Sequence, residues 1–269
     1  MRKSKVASLF IIIIVTTAIA AVWGLLALLS NYTDGAFYAL VSEIDHYYIA
    51  EEPHQPDAVV DDDPIHDVYE YEEYVPMFVP VFTYEPLPRH IIDLITGVTF
   101  HDNTPFSHDF LSYLTITHVD FDGENRIGHM IVAAEIATEV LDIFKEIYEG
   151  GFPIHSIRLI DYFDADDYLS LAANNSSAFN FRYIAGTNRI SRHGFGMAID
   201  INPIQNPYVR GDNIKPAAGA EYLDRDNVRP GMIVRGNVVY RAFTDRGWTW
   251  GGNWTLPRDY HHFERRADN

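Results

Sequence analysis

The sequence predicts an α+β fold: a single domain with a small antiparallel sheet and flanking helices, preceded by a transmembrane helix and an acidic linker. Three observations predict it. An uncharged apolar run lies near the N-terminus, and no Lys or Arg occurs between Lys5 and Arg89. Beyond that gap one long helical pattern is followed by several short strand patterns in series, the order expected of a helix packed on an antiparallel sheet.

The first element is "MRKSK" followed by the uncharged stretch from Val6 to Ser30. A helix needs roughly 20 apolar residues to cross a bilayer, so residues 1–30 read as a cytoplasmic stub and a membrane anchor. Arg2, Lys3 and Lys5 hold the N-terminus inside and place the rest of the chain outside the cytoplasm. A cleaved signal peptide competes, because "AIAA" offers small residues to a peptidase. The apolar run continues past it through Trp23 and Leu29, which favours a retained anchor. Both readings export the chain.

Residues 31–88 read as the linker. Twelve acidic residues lie between Glu43 and Glu73, including Asp61, Asp62 and Asp63. Like charges extend such a segment, and seven prolines between 53 and 88 stiffen it. The stretch "YVPMFVPVFTYEPLP" at its end is too apolar to stand free in water and is expected to lie against the domain that follows.

Residues 89–269 carry the composition of a folded domain. "TITHVDFDGENRIGHM" predicts a hairpin turning at Asp122–Gly123. "GHMIVAAEIATEVLDIFKEIYEGG" places Ile136, Val140, Ile143, Phe144 and Ile147 on one helical face, with Gly150 and Gly151 as a stop. "IHSIRLIDYF" predicts a strand over 154–163, and "DADDYLSLAANNSSAFN" a polar loop with a short helical piece. "FNFRYIAG", "GMAIDINP", "GNVVYRAF" and "YHHFER" each predict a short strand.

Composition narrows the chemistry. A net charge of −18 argues against nucleic acid as a partner, since phosphate binding needs clustered Lys and Arg. The absence of cysteine excludes disulfides, thiolate metal sites and cysteine nucleophiles. Any metal site must use His, Asp and Glu.

Two stretches can build one. In "SRHGFGMAIDIN", residues 191–202, strand alternation turns Ala198 and Asp200 one way and Met197, Ile199 and Ile201 the other. A carboxylate between isoleucines is costly to bury unless it is paired or bound to a cation. Gly194 and Gly196 let the chain turn so that His193 returns over the strand toward Asp200. In "DYHHFE", residues 259–264, two histidines stand between carboxylates. Together the stretches offer the three N and O ligands that a catalytic zinc site needs, with Asp259 placed to take a proton from water. A purely structural alternative stays open: Asp200 as a hydrogen-bond acceptor, with packed or exposed histidines around it.

The combination resembles the M15 zinc peptidases, which include D-Ala-D-Ala carboxypeptidases and dipeptidases of the vancomycin-resistance type and L-Ala-D-Glu endopeptidases. Their pattern is S-x-H-x-x-G-x-A-x-D, then later an acid, two residues and a histidine. Here it stands as Ser191, His193, Gly196, Ala198 and Asp200, then Asp259 and His262. The resemblance is strongest over 125–266, including "NNSSAFNFR", "DINPIQNPYV" and "RGWTWGGNW". It implies Zn2+ held by His193, Asp200 and His262, with Asp259 as the catalytic base. It also implies that Arg182 steadies the oxyanion and that Ser191 orients the first ligand loop. Strand alternation is expected to send His261 away from the site.

The implied substrate is the peptidoglycan stem peptide, met outside the cytoplasm. "GWTWGGNW…DYHHF", with Asp rather than Glu at position 259, resembles the L-Ala-D-Glu endopeptidase branch. A D-Ala-D-Ala carboxypeptidase is the alternative, and an inactive, zinc-containing wall-binding relative is a third. Trp248, Trp250 and Trp254 are expected to pack the loop leading to the site. Asp164, Asp166 and Asp167 are expected to hydrogen-bond within their own loop.

Overall fold

The computed structural model describes residues 78–265. The expected membrane anchor at 1–30 and the acidic part of the linker lie outside the described residues. Among those described, no helix is long and apolar enough to cross a membrane.

In chain order the elements are β1 (Phe82–Pro86), α1 (Arg89–Ile95), β2 (Leu111–Val119), β3 (Asn125–Ala133), α2 (Ala137–Glu149) and β4 (Ser156–Ile157). They continue as α3 (Asp167–Ala172), β5 (Asn175–Ser176), β6 (Ala198–Asp200), β7 (Tyr208–Arg210) and β8 (Asn213–Lys215). The last are α4 (Val238–Thr244), β9 (Thr249–Trp250), β10 (Arg258–Asp259) and β11 (His262–Glu264). The class is α+β, but the sheet is divided. Antiparallel sheets run in the orders β1-β2-β3, β10-β7-β8 and β6-β11-β9, and β4 pairs with β5 in parallel.

The hairpin β2–β3 turns where the sequence predicts. Asp120 Oδ1 accepts the backbone N–H groups of Asp122 and Glu124, while Gly123 takes a positive φ of 84°. β1 pairs with β2 from Phe82↔Ile116 to Pro86↔Ser112. The folded domain thus begins inside the segment that composition assigns to the linker.

Helix α2 lays its buried face, Val140, Ile143, Phe144 and Ile147, over this sheet. β3 runs on to Ala133, so the helix begins only at Ala137. Ile199 and Ile201 around β6, Phe243 of α4 and Phe263 of β11 belong to the same core. Each such side chain contributes about 1.5–3 kcal/mol on burial. Phe263 stacks on Phe243 at 4.1 Å between ring centroids.

Three expected strands come out differently. "GNVVYRAF" is helix α4. Asn237 Oδ1 accepts the Tyr240 N–H as an N-cap, and Val239, Ala242 and Phe243 share the buried face. Its valines favour a strand, but the cap and the core contact prevail. "FNFRYIAG" forms only an isolated bridge, Tyr183↔Ile190. Of 154–163 only Ser156–Ile157 is a strand, and Ile160–Phe163 is a 3-10 turn.

That turn buries a carboxyl group. Asp161 is 7% exposed, and Thr99 Oγ1 donates to its Oδ1 at 2.7 Å. Burial pushes its pKa up to about 6, against the hydrogen bond from Thr99. Because the folded pKa lies above the unfolded value, the folded state holds the proton more tightly, and stability falls as pH rises from about 4 to 6. Asp161→Asn keeps an acceptor for Thr99 and is expected to abolish this slope. Above pH 7 it should gain up to about 3 kcal/mol, read from urea melts across the pH series.

Candidate metal centre

The first ligand loop closes through a glycine. Residues His193–Phe195 form a 3-10 turn that ends at Gly196, whose φ is +63°. A Cβ there would lie 2.6 Å from Ala133 N, and Gly196 O accepts that same N–H at 3.0 Å. Only glycine tolerates both demands. Ser191 Oγ accepts the His193 N–H at 3.3 Å, which helps set the turn.

The second stretch arrives by strand pairing. β11 lies antiparallel to β6 with His262 directly opposite Asp200. Phe263 enters the core, so alternation sends His262 and Glu264 to the other face.

Three ligand atoms converge. His193 Nε2 lies 3.2 Å from His262 Nδ1 and 3.3 Å from Asp200 Oδ1, and His262 Nδ1 lies 3.0 Å from Asp200 Oδ1. All three residues are buried, and together they form a group that can hold a metal ion. Ligands at zinc–nitrogen and zinc–oxygen distances on a tetrahedron stand about 3.3 Å apart, so the triangle fits that ion.

The outer hydrogen bonds fit it as well. His193 Nδ1 lies 2.6 Å from Ala178 O, which can only accept, so Nδ1 carries the hydrogen and Nε2 turns a lone pair inward. His262 Nε2 lies 3.4 Å from Glu264 Oε2, which leaves Nδ1 to face the same point. Two lone pairs and a carboxylate oxygen meeting at one point require a cation. Without a metal, a proton serves. Burial opposes charge on His262, yet its hydrogen bonds to Asp200 and Glu264 push the pKa up to about 10. Burial likewise works against the Asp200 carboxylate, but His193 and His261 hold its pKa well below the usual range.

His261 departs from expectation. It precedes β11 rather than belonging to it, so strand alternation does not govern its side chain. Its Nδ1 lies 2.8 Å from Asn206 O, and its Nε2 lies 2.9 Å from Asp259 Oδ1 and 3.8 Å from Asp200 Oδ2. Burial disfavours its charge, but Asp259 and Asp200 raise its pKa to about 9. The buried Asp259 Oδ1 has ion-pair proximity to His261 yet no aligned hydrogen-bond donor. Gly251 packs onto this carboxylate's backbone, where a Cβ would lie 2.5 Å from Asp259 O.

Arg182 has a carboxylate partner. Its Nε lies 2.6 Å from Asp167 Oδ2 on α3, and it makes no ion pair with His193, Asp200, Asp259 or His262. Its backbone still borders the ligand turn, since Arg182 O accepts the Ser191 N–H at 2.9 Å. The acidic loop divides its roles: Asp166 caps α3 through Tyr168 N and Leu169 N, and Asp167 holds Arg182. Trp248 and Trp250 are buried, while Trp254 sets its ring 5.4 Å from that of His262.

Comparison with known proteins adds one finding. No curated protein and no solved structure matches the chain. Residues 185–265, just under a third of the chain and beginning after Arg182, match an M15 peptidase family model described as D-alanyl-D-alanine carboxypeptidase. Both halves of the His193–Asp200–His262 triangle lie within that match, which supports a peptidase related to the M15 family.

Proposed function

We propose that the chain is a zinc-dependent peptidase that hydrolyses an amide bond in peptidoglycan stem peptides outside the cytoplasm. The observation that carries this reading is the triangle of His193 Nε2, Asp200 Oδ1 and His262 Nδ1, with Asp259 Oδ1 nearby and without an aligned donor. The family match supports the peptidase class, and the basic N-terminus followed by an apolar run supports the location.

When bound, zinc supplies Lewis acidity, which makes water a nucleophile near neutral pH and polarises a carbonyl. Asp259 Oδ1 accepts the proton of the attacking water and returns it to the leaving amine. His261 brings a positive charge beside Asp259 at Nε2, while its Nδ1–H is anchored on Asn206 O. Arg182 serves the developing oxyanion once its guanidinium leaves Asp167, where it rests in the free protein.

Two bonds compete as the scissile one. Asp at position 259 and the "GWTWGGNW…DYHHF" segment favour L-Ala-D-Glu cleavage. The description of the matching family favours removal of the terminal D-Ala. Mass analysis of products from defined muropeptides separates them: the first releases a peptide that begins with D-Glu, the second releases single alanine. A zinc-containing protein that releases neither is a binder, and the hydrolytic reading is then wrong.

A further inference from the structure

Beside the metal centre lies a cavity of about 540 Å3 that the chemistry above does not use. Trp254, whose ring meets His262, forms one wall, and Tyr260 and Arg258, the sequence neighbours of Asp259, form another. Arg225 and Arg235 also line it, with Asp226 as the only acidic residue.

Among the described residues, no carboxylate is ion-paired to the arginines of this cavity. Arg225 donates from Nη1 to Gln205 O and Tyr222 O, and from Nη2 to Asn206 Oδ1 and Ile233 O. Every acceptor is a neutral carbonyl oxygen, so the guanidinium is rigidly held but not neutralised. Its Nε is buried without a partner, and its plane sits over the Tyr260 ring at 4.5 Å. Burial lowers its pKa to about 10, the mark of a cation short of counter-charge. Arg258 donates only to the Tyr260 hydroxyl, at 3.2 Å, and Arg235 makes no ion pair among the described residues. In a chain with 38 acidic and 20 basic residues, three arginines line this cavity with no described carboxylate ion-paired to any of them.

Guanidinium forks match carboxylates in shape and charge, and Trp250, Trp254 and Tyr260 provide apolar walls for a peptide backbone. We infer that this cavity is a substrate subsite that binds a free carboxylate of an acidic peptide while the scissile amide lies at the metal centre. The inference rests on the peptidase reading and extends it: the enzyme selects peptides that carry an anionic arm on the Trp254 side.

The test uses the full chain loaded with zinc and two synthetic stem pentapeptides, which carry both candidate bonds, one with free side-arm carboxylates and one with them amidated. Binding is measured calorimetrically in the Asp259→Ala background, where turnover is not needed. Amidation is expected to weaken binding about 10-fold. Arg235→Gln with Arg258→Gln is expected to weaken the free acid by a similar factor and to leave the amide unaffected. Equal affinity for both peptides, or for parent and double variant, overturns the subsite, as does failure of the free-acid peptide to bind. Zinc content and far-UV circular dichroism confirm that the double variant is folded. Hydrolysis with the Asp259 enzyme separates the two readings. If the subsite alone is wrong, both peptides are cut with the same KM. If the peptidase reading is wrong, neither is cut, and the difference in binding persists.

Discussion

Asp259→Ala is expected to keep zinc at the stoichiometry of the parent and to lose about 10²–10⁴-fold in kcat, the usual span for removing a general base. The structure separates Asp259 from the ligand triangle: its contact is with His261 Nε2 at 2.9 Å, not with His193 or His262. Removing it therefore leaves three ligands in place. The loss should fall on kcat rather than KM, because the carboxylate acts on a proton in flight and not on the resting substrate. Zinc analysis beside steady-state kinetics on a muropeptide checks both halves. Near-normal turnover would remove Asp259 as the base. His261→Gln offers a graded companion, because glutamine keeps a polar side chain beside Asp259 but carries no charge.

His193→Ala is expected to lose the metal and the activity together. Mutating groups that merely support a metal ligand costs about 10–100-fold in affinity, and deleting a ligand costs more. The variant also strands Ala178 O, which loses its imidazole donor in a buried setting. Two readouts are independent of catalysis. Zinc content after dialysis should fall to background, and added zinc should raise the Tm of the parent but not of the variant. Retained zinc in His193→Ala would mean that the ligand set is wrongly assigned.

Much of the arrangement was legible from local pattern. The turn at Asp122–Gly123 and the buried stripe of α2 follow from turn chemistry and 3.6-residue spacing, because each is decided by neighbours in sequence. The same holds for the alternation of Ile199, Asp200 and Ile201, and for Gly196 as the hinge of the ligand loop. The strand misread at "GNVVYRAF" shows where local pattern fails: β-branched residues resemble a strand, but Asn237 caps a helix and the core accepts its face.

His261 marks a different boundary. Its position beside His262 says nothing about direction until the start of β11 is known, and that start is set by pairing with β6. Arg182 is similar: its motif implies a role, but only the packing of α3 shows its resting partner, Asp167.

By itself the order of residues determined which side chains are chemically able to hold a divalent ion and which cannot, since a chain without cysteine has only His, Asp and Glu to offer. Tertiary structure alone decided that atoms 62 and 69 residues apart stand 3.0 and 3.2 Å from each other. The reason is physical: pairing of β11 with β6 and burial of Phe263 set distances that no local propensity encodes.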